Sequence, residues 1–185
     1  MKRIIDIAVS GLILIIFIPL LLFLSFLCVL YNNGSIFFLQ DRAGLNGNVF
    51  RIIKFKTMKD LKNKQGVILP DRERLTRFGR FLRRTSLDEL PTFWNVLKGE
   101  MSLVGPRPLL VKYLDRYTPL QARRLDVKPG LTGWAQINYP YGASTEDARH
   151  KLEYDLYYAK NYTPFLDLLI LIQTARVILW PEGAR

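Results

Sequence analysis

The chain has one cysteine, Cys28, and one histidine, His150, in 185 residues. A lone cysteine excludes any disulfide within the chain, and a lone histidine with it cannot build a Cys/His zinc site. A bound metal would therefore be a hard cation on oxygen ligands: magnesium, manganese or calcium. Acidic side chains are also scarce, 16 Asp+Glu against 27 Lys+Arg, which leaves a formal net charge of +11. Such a balance points to anionic partners: nucleic acid, anionic lipid headgroups or phosphorylated small molecules. Solubility alone is the plainer alternative. There is no internal repeat and no low-complexity tail. The length suits one domain, and about 145 residues beyond the apolar N-terminal stretch are enough for a core.

Charge is missing altogether from residues 7–40. Within them, residues 8–31 are long enough to span a hydrocarbon layer of about 30 Å. A cleaved secretory signal fits poorly, because the run is too long and no small-x-small site follows it. Lys2 and Arg3 favour the cytoplasm, and so does the Lys/Arg-rich remainder. A straight span would put one of them on the wrong side, whereas a hairpin entering and leaving by one face satisfies both. Pro19 lies in the middle of the run and deprives the Ile15 carbonyl of its helical partner, so a break is expected there. Membrane helices also tolerate proline as a kink, and charge alone leaves kinked span and hairpin both open.

In the remainder, residues 36–39 read as a strand and residues 40–48 as a Gly/Asn-punctuated turn. Residues 49–58 read as a second strand presenting Lys54 and Lys56 on one face, completing a hairpin. Residues 59–69 read as a loop. Residues 72–84 read as one basic amphipathic helix, suited either to an anionic membrane surface or to an ordinary core with a solvated face. Ser86 and Glu89 have the spacing of a capping box, with a short helix to Lys98 stopped by Gly99. Residues 108–117 and 119–125 read as helices, 128–134 as a turn, 135–138 as a brief strand and 145–161 as a helix. Residues 165–180 make a helix about 24 Å long, too short and too polar for a comfortable span.

Chemistry concentrates in residues 83–91, Arg-Arg-Thr-Ser-Leu-Asp-Glu-Leu-Pro, which set Asp88 and Glu89 in a basic surrounding. Gly105-Pro-Arg-Pro108 adds the cation Arg107. Carboxylates among arginines suit chemistry on phosphates, and a helix N-terminus would add its own preference for anions. Adjacent acids are more often plain surface pairs, and Glu89 has a structural alternative as cap partner.

The ordered motifs Lys54-Phe-Lys-Thr-Met58, Ser86-Leu-Asp-Glu-Leu-Pro91, Asn95-Val-Leu-Lys-Gly99, Gly105-Pro-Arg-Pro108, Lys128-Pro-Gly-Leu-Thr-Gly133 and Tyr154-Asp-Leu-Tyr-Tyr158 closely resemble the monotopic phosphoglycosyl transferases, or bacterial sugar transferases. The likeness covers essentially the whole chain, including the Lys2-Arg3…Asp6 start, and matches the family's minimal catalytic form. It implies transfer of a sugar 1-phosphate from a UDP-sugar to undecaprenyl phosphate at the cytoplasmic face of the bacterial inner membrane. UMP is released, and magnesium is required. It further implies that Asp88 is a nucleophile forming a phosphosugar adduct and a metal contact, with Glu89 orienting the metal or handling a proton. Lys54, Lys56, Arg83 and Arg107 are then expected to hold the diphosphate or the lipid phosphate. The family's re-entrant helix favours the hairpin. Two departures stand out: Ile18 replaces a serine common before the proline, and Tyr139-Pro-Tyr-Gly142 stands where many members carry Gly-Arg.

The resulting expectation is an α/β enzyme. It has a small β-sheet, surrounding interfacial helices and an N-terminal re-entrant membrane helix. Residues 1–35 would be membrane-embedded, and residues 36–185 would form a cytoplasmic catalytic domain against anionic lipids. A homodimer is compatible with this. A membrane-tethered nucleic-acid binder lacks any recognisable signature, so no nucleic-acid partner is expected; a non-catalytic scaffold is the other rival. Two sequons, at Asn33 and Asn161, are incidental on the cytoplasmic side.

Overall fold

The computed structural model describes residues 1–32, 34–139 and 144–179. Most of the 139–142 departure, the Asn33 sequon position and the end of the helix expected to reach Trp180 lie outside them.

The N-terminal run forms two helices, α1 (Lys2–Ile16) and α2 (Ile18–Tyr31), bent by 65°. The bend falls at Phe17 rather than at Pro19. Pro19 occupies the first turn of α2, where its missing N–H has no intrahelical partner to lose. Among the described residues no single helix is long and apolar enough to cross a membrane; only the bent pair is, taken together. Leu12, Ile15, Ile16, Phe17, Ile18, Leu22, Phe23 and Phe26 leave a continuous apolar surface around the bend.

Both ends of this pair are fastened to one body. At the start of α1, Lys2 Nζ donates to Val104 O (2.9 Å), Tyr158 Oη (2.8 Å) and Asp167 Oδ2 (2.6 Å). Arg3 donates to the carbonyls of Val96 (2.5 Å) and Leu97 (2.6 Å). Asp6, buried, accepts from Ser102 Oγ and the Leu103 N–H, both at 3.0 Å. At the end of α2, Asn32 Nδ2 donates to Lys56 O (2.6 Å) and Tyr31 stacks on Phe78. Lys2 and Arg3, read as topology signals, are thus also side-chain ties. A partly buried cation needs acceptors: Arg3 finds the α5-end carbonyls, and Lys2 finds the Val104 carbonyl, the Tyr158 hydroxyl and Asp167.

Strands β1 (Phe37–Ala43) and β2 (Val49–Phe55) form an antiparallel hairpin in the register Phe37↔Phe55 to Ala43↔Val49. β1 extends four residues into the stretch read as a turn. The chain reverses over Leu45–Gly47, with Asn46 (φ 55°) and Gly47 (φ 77°) in left-handed conformation. The remaining strands, β3 (Ser102–Val104) and β4 (Gly130–Thr132), form a separate parallel pair. Among the described residues the expected small sheet is therefore two two-stranded sheets, and part of the stretch read as a turn at 128–134 is β4. Residues 135–138 belong to a short helix, Trp134–Asn138, and not to a strand.

The basic helix is split into α3 (Asp71–Arg74) and α4 (Arg77–Arg84). Leu75 is extended and bridges to Met58, and Thr76 Oγ1 caps α4 by accepting from the Gly79 N–H at 2.8 Å. A Cβ at Gly79 would lie 1.9 Å from Thr57 O, so α4 sits directly on the backbone after β2. Next come a 3-10 segment (Leu87–Thr92) and α5 (Phe93–Lys98), ended as expected by Gly99 at φ 91°. Then follow a 3-10 turn over Val111–Arg116, α6 (Pro119–Ala122), a 3-10 turn over Arg123–Asp126, α7 (Trp134–Asn138), α8 (Thr145–Asn161) and α9 (Pro164–Leu179). The helix expected over 108–117 is thus a 3-10 turn, and the one expected over 119–125 forms as α6 continued by a 3-10 turn, with a proline opening each stretch.

One core joins Phe50, Ile52, Val96, Met101, Leu103, Val104, Tyr158 and Ile170; a second joins Leu24, Cys28, Phe55 and Leu82. The second packs α2 against β2 and α4. Burying four such side chains contributes roughly 1.5–3 kcal/mol for each large one.

Candidate active site

The outer edge of β2 would leave backbone groups unpaired, and two side chains satisfy them. Thr92 Oγ1 donates to Ile53 O (2.8 Å). Asn95 accepts from the Ile53 N–H (3.1 Å) and donates to Arg51 O (2.8 Å). Both residues are buried, as fully paired polar groups can be. This seam lays the Leu87–Thr92 segment along β2 and brings Glu89 to Lys54.

Glu89 Oε1 accepts from Lys54 Nζ and, at 3.0 Å, from Arg107 Nη2. Burial pushes the Glu89 carboxyl up, but Arg107 and Lys54 outweigh it and hold the group below its ordinary range. The expected capping box is absent. Ser86 is in left-handed conformation (φ 56°) and its side chain caps nothing. Only the Glu89 N–H returns to it, donating to Ser86 O at 3.1 Å. The two cations claim the carboxylate that the box would have used.

Asp88 differs from its neighbour. Among the described residues no side chain hydrogen-bonds or ion-pairs with its carboxylate; its own backbone N–H favours the anion. Burial first, then the Glu89 charge, push its carboxyl above the ordinary aspartate range, against the pull of Lys54 and Arg83. Arg83 is held beside it through Thr57, whose Oγ1 accepts from Arg83 Nε at 3.0 Å. Lys56 goes elsewhere: its Nζ pairs with Asp60. Of the expected site residues, then, Lys54, Glu89 and Arg107 meet directly, Arg83 stands near Asp88, and Lys56 is tied to the loop beyond β2.

Arg107 rides on a tightly packed turn. Cβ atoms at Gly105, Gly130 and Gly133 would each fall within 2.3 Å of another backbone atom, so these glycines permit the close approach of the Gly-Pro-Arg-Pro turn to β4. The cleft in front of it is lined by Arg42, Lys54, Glu89, Arg107, Gly130 and Leu131. Arg42 was not singled out from the sequence. Burial and the nearby Arg107 lower its pKa, and Glu89 opposes them.

Among the described residues no three His, Cys, Asp or Glu side chains converge as a metal cage. Magnesium does not need one: it is commonly held by one or two carboxylates with substrate phosphates and water. The uncommitted Asp88 oxygens fit that donor set.

A carboxylate free to react, flanked by cations and set beside an apolar surface, suits an enzyme that transfers groups between phosphates. The chain belongs to the bacterial sugar transferase family, whose model matches residues 1–181. It is 46% identical to an uncharacterized sugar transferase, EpsL, of Bacillus subtilis, over 99% of this chain and 89% of that protein. It is 42% identical to the UDP-N-acetylgalactosamine-undecaprenyl-phosphate N-acetylgalactosaminephosphotransferase of Aeromonas hydrophila, over 100% of this chain and 45% of that one. It is 40% identical to the UDP-glucose:undecaprenyl-phosphate glucose-1-phosphate transferase of Escherichia coli, over 94% and 39%. The chain thus spans most of the first relative and less than half of the other two. The resemblance read from the motifs is borne out.

Proposed function

We propose that this chain moves a sugar 1-phosphate from a UDP-sugar to undecaprenyl phosphate through a covalent adduct on Asp88. The observation that carries this reading is the contrast between two adjacent acids. Glu89 is engaged by Lys54 and Arg107, while Asp88 has no side-chain partner among the described residues.

In the first step an Asp88 carboxylate oxygen attacks the sugar-bearing phosphorus. The bond from that phosphorus to the bridging oxygen breaks, and UMP leaves with the electron pair. In the second step a phosphate oxygen of the lipid attacks the same phosphorus, the bond to Asp88 breaks, and the carboxylate is restored. Two displacements let a dissolved donor and a lipid acceptor use the site in turn. Lys54, Arg107 and Arg83 stabilise the anionic oxygens as bonds shift. Glu89, kept ionised, fixes Lys54 and Arg107 instead of supplying a proton. Asp88 and the substrate phosphates would hold magnesium, which supplies charge neutralisation when bound.

The bent helix pair supports a re-entrant anchor. Its two ends attach to one body while the apolar side chains around its bend stay exposed, so neither end has to cross a bilayer for the bend to enter one. We place the site on the cytoplasmic side of the bacterial inner membrane. The arginines of α4 and its neighbours face anionic headgroups at a depth where nucleotide and lipid phosphate both reach Asp88.

The test is a panel of UDP-sugars offered to the purified chain with magnesium, with and without undecaprenyl phosphate. One sugar is expected to give UMP and, without acceptor, an intact-mass increase of one sugar phosphate mapped to Asp88. Adding acceptor discharges it. Covalent labelling at native yield in Asp88→Asn, or kinetics requiring both substrates bound together, would overturn the mechanism. Absence of UMP with every donor would favour a scaffold.

A further inference from the structure

Arg107 lies between two prolines, and neither Pro106 nor Pro108 has an N–H. A segment of this kind is fixed mainly through its carbonyls. Four consecutive carbonyls are in fact taken. The Gly130 N–H donates to Pro106 O (2.9 Å), and the Ala43 N–H donates to Leu109 O (3.0 Å). The two between them are held by guanidinium groups. Arg124 Nη2 donates to Arg107 O at 2.9 Å, and Arg42 Nη1 donates to Pro108 O at 3.1 Å.

Each guanidinium is itself held. Arg124 is 4% exposed, pairs with Asp155 of α8 at 2.6 Å and donates to Tyr117 Oη at 3.0 Å. Arg42 Nη2 donates to Gln40 Oε1 at 2.6 Å. We propose that Arg124, locked by Asp155, and Arg42 are positioning residues that aim the Arg107 guanidinium into the cleft by gripping consecutive carbonyls of its turn. A forked guanidinium suits this task, because one donor arm takes the carbonyl while another is anchored in the scaffold. The chain of contacts runs from α8 through Arg124 to the Arg107 peptide, and from β1 through Arg42 to the next peptide. It sets the side chain where it meets Glu89.

This rests on the reading of Arg107 as a substrate-facing cation, and two readouts separate the two ideas. The first is a double-mutant cycle on UMP release in the full chain. Arg124→Lys, Arg42→Lys and Asp155→Asn are each expected to lower kcat/KM about tenfold in the native background and less than about twofold once Arg107 is alanine, because coupled residues are non-additive. Equal losses in both backgrounds would overturn the proposal. The second needs no turnover: modification of individual arginines by phenylglyoxal, read peptide by peptide by mass spectrometry. Arg107 is expected to react severalfold faster in the variants, while Arg72 and Arg80 keep their rates. Unchanged Arg107 reactivity in every folded variant would also overturn it. If Arg124→Lys fails to fold, Asp155→Asn, of nearly the same shape, and Arg42→Lys carry both measurements. If the native chain transfers from no UDP-sugar, the proposed function fails and the labelling still decides this inference.

Discussion

Asp88 and Glu89 are neighbours in the chain and opposites in charge preference: burial and Glu89 push the first carboxyl up, whereas Arg107 and Lys54 hold the second down. The sign has a kinetic consequence. A nucleophilic carboxylate must be ionised, so the rate falls as pH drops through its pKa. A raised pKa puts that acid limb above the ordinary aspartate range.

Glu89→Gln removes the neighbouring negative charge and frees Lys54 and Arg107 to act on Asp88. Both changes favour the Asp88 anion, so the acid limb of adduct formation moves to lower pH. The plateau rate falls on the order of 10²-fold, because the two cations lose the carboxylate that fixes them. The measurement is single-turnover labelling against pH. A limb that stays in place would show that Glu89 does not set the Asp88 charge.

Thr57→Val keeps the shape of a residue beside α4 but removes the oxygen that accepts from Arg83 Nε. A hydrogen bond to a charged donor is worth about 1.5–3 kcal/mol. Part of that is lost with Arg83 misplaced, so kcat/KM for the donor should fall roughly tenfold with little change in Tm. A matching loss in Asp60→Ala, which releases Lys56 and Arg74 and leaves the Arg83–Thr57 bond intact, would indicate a general electrostatic effect and not a local one.

The extent to which the sequence announced these arrangements depended on the range of the interactions. The hairpin, the Gly99 stop and the long α8 follow from alternation, glycine placement and helical spacing, and all three formed. Ser86 misled because the capping box is a local rule. Glu89 is instead held by partners 35 and 18 residues away, Lys54 and Arg107. Arg42 and Arg124 carried no local mark at all, since each is defined by a carbonyl of the Pro-Arg-Pro turn, 66 and 17 residues distant. The same holds for β4, which is a strand because β3 lies beside it; the glycines that make this close approach possible read locally as a turn. The acidic pair was visible as residue types, but which acid is free and which is bound was not.

Gly79→Ala tests the seat of α4. The added methyl would meet the Thr57 backbone at 1.9 Å, and backbone cannot swing aside like a flexible side chain. Overpacking of this kind costs about 1–3 kcal/mol. Thermal unfolding should show a lower Tm, and because Thr57 also holds Arg83, activity should fall beyond the loss of folded protein. An unchanged Tm would mean that α4 does not press on Thr57 as described.

Asp6→Ala tests the tie between α1 and β3. It leaves the buried Leu103 N–H and the Ser102 hydroxyl without their acceptor. An unsatisfied buried donor costs about 1–3 kcal/mol, so Tm should fall clearly. Asp6→Asn keeps one acceptor oxygen and should lose less. Equal destabilisation by the two variants would assign the effect to charge, not to the hydrogen bonds.

The re-entrant anchor predicts one-sided labelling. Cys28 is buried, so single cysteines can be introduced without removing it. Met1→Cys, with a new initiating methionine ahead of it, and Ser35→Cys stand at the two ends of the bent pair, and Phe17→Cys stands at its bend. A membrane-impermeant maleimide should reach positions 1 and 35 in sealed inverted membrane vesicles, which expose the cytoplasmic face, and neither in right-side-out vesicles, which expose the opposite one. Position 17 should stay protected from both faces, because an apolar bend held in hydrocarbon is shielded from an aqueous reagent. Labelling of positions 1 and 35 from opposite faces would replace the hairpin with a kinked span. The docking of Lys2 and Asn32 onto one body would then have to break in the membrane, which makes this outcome decisive for the placement of Asp88 at the lipid headgroups.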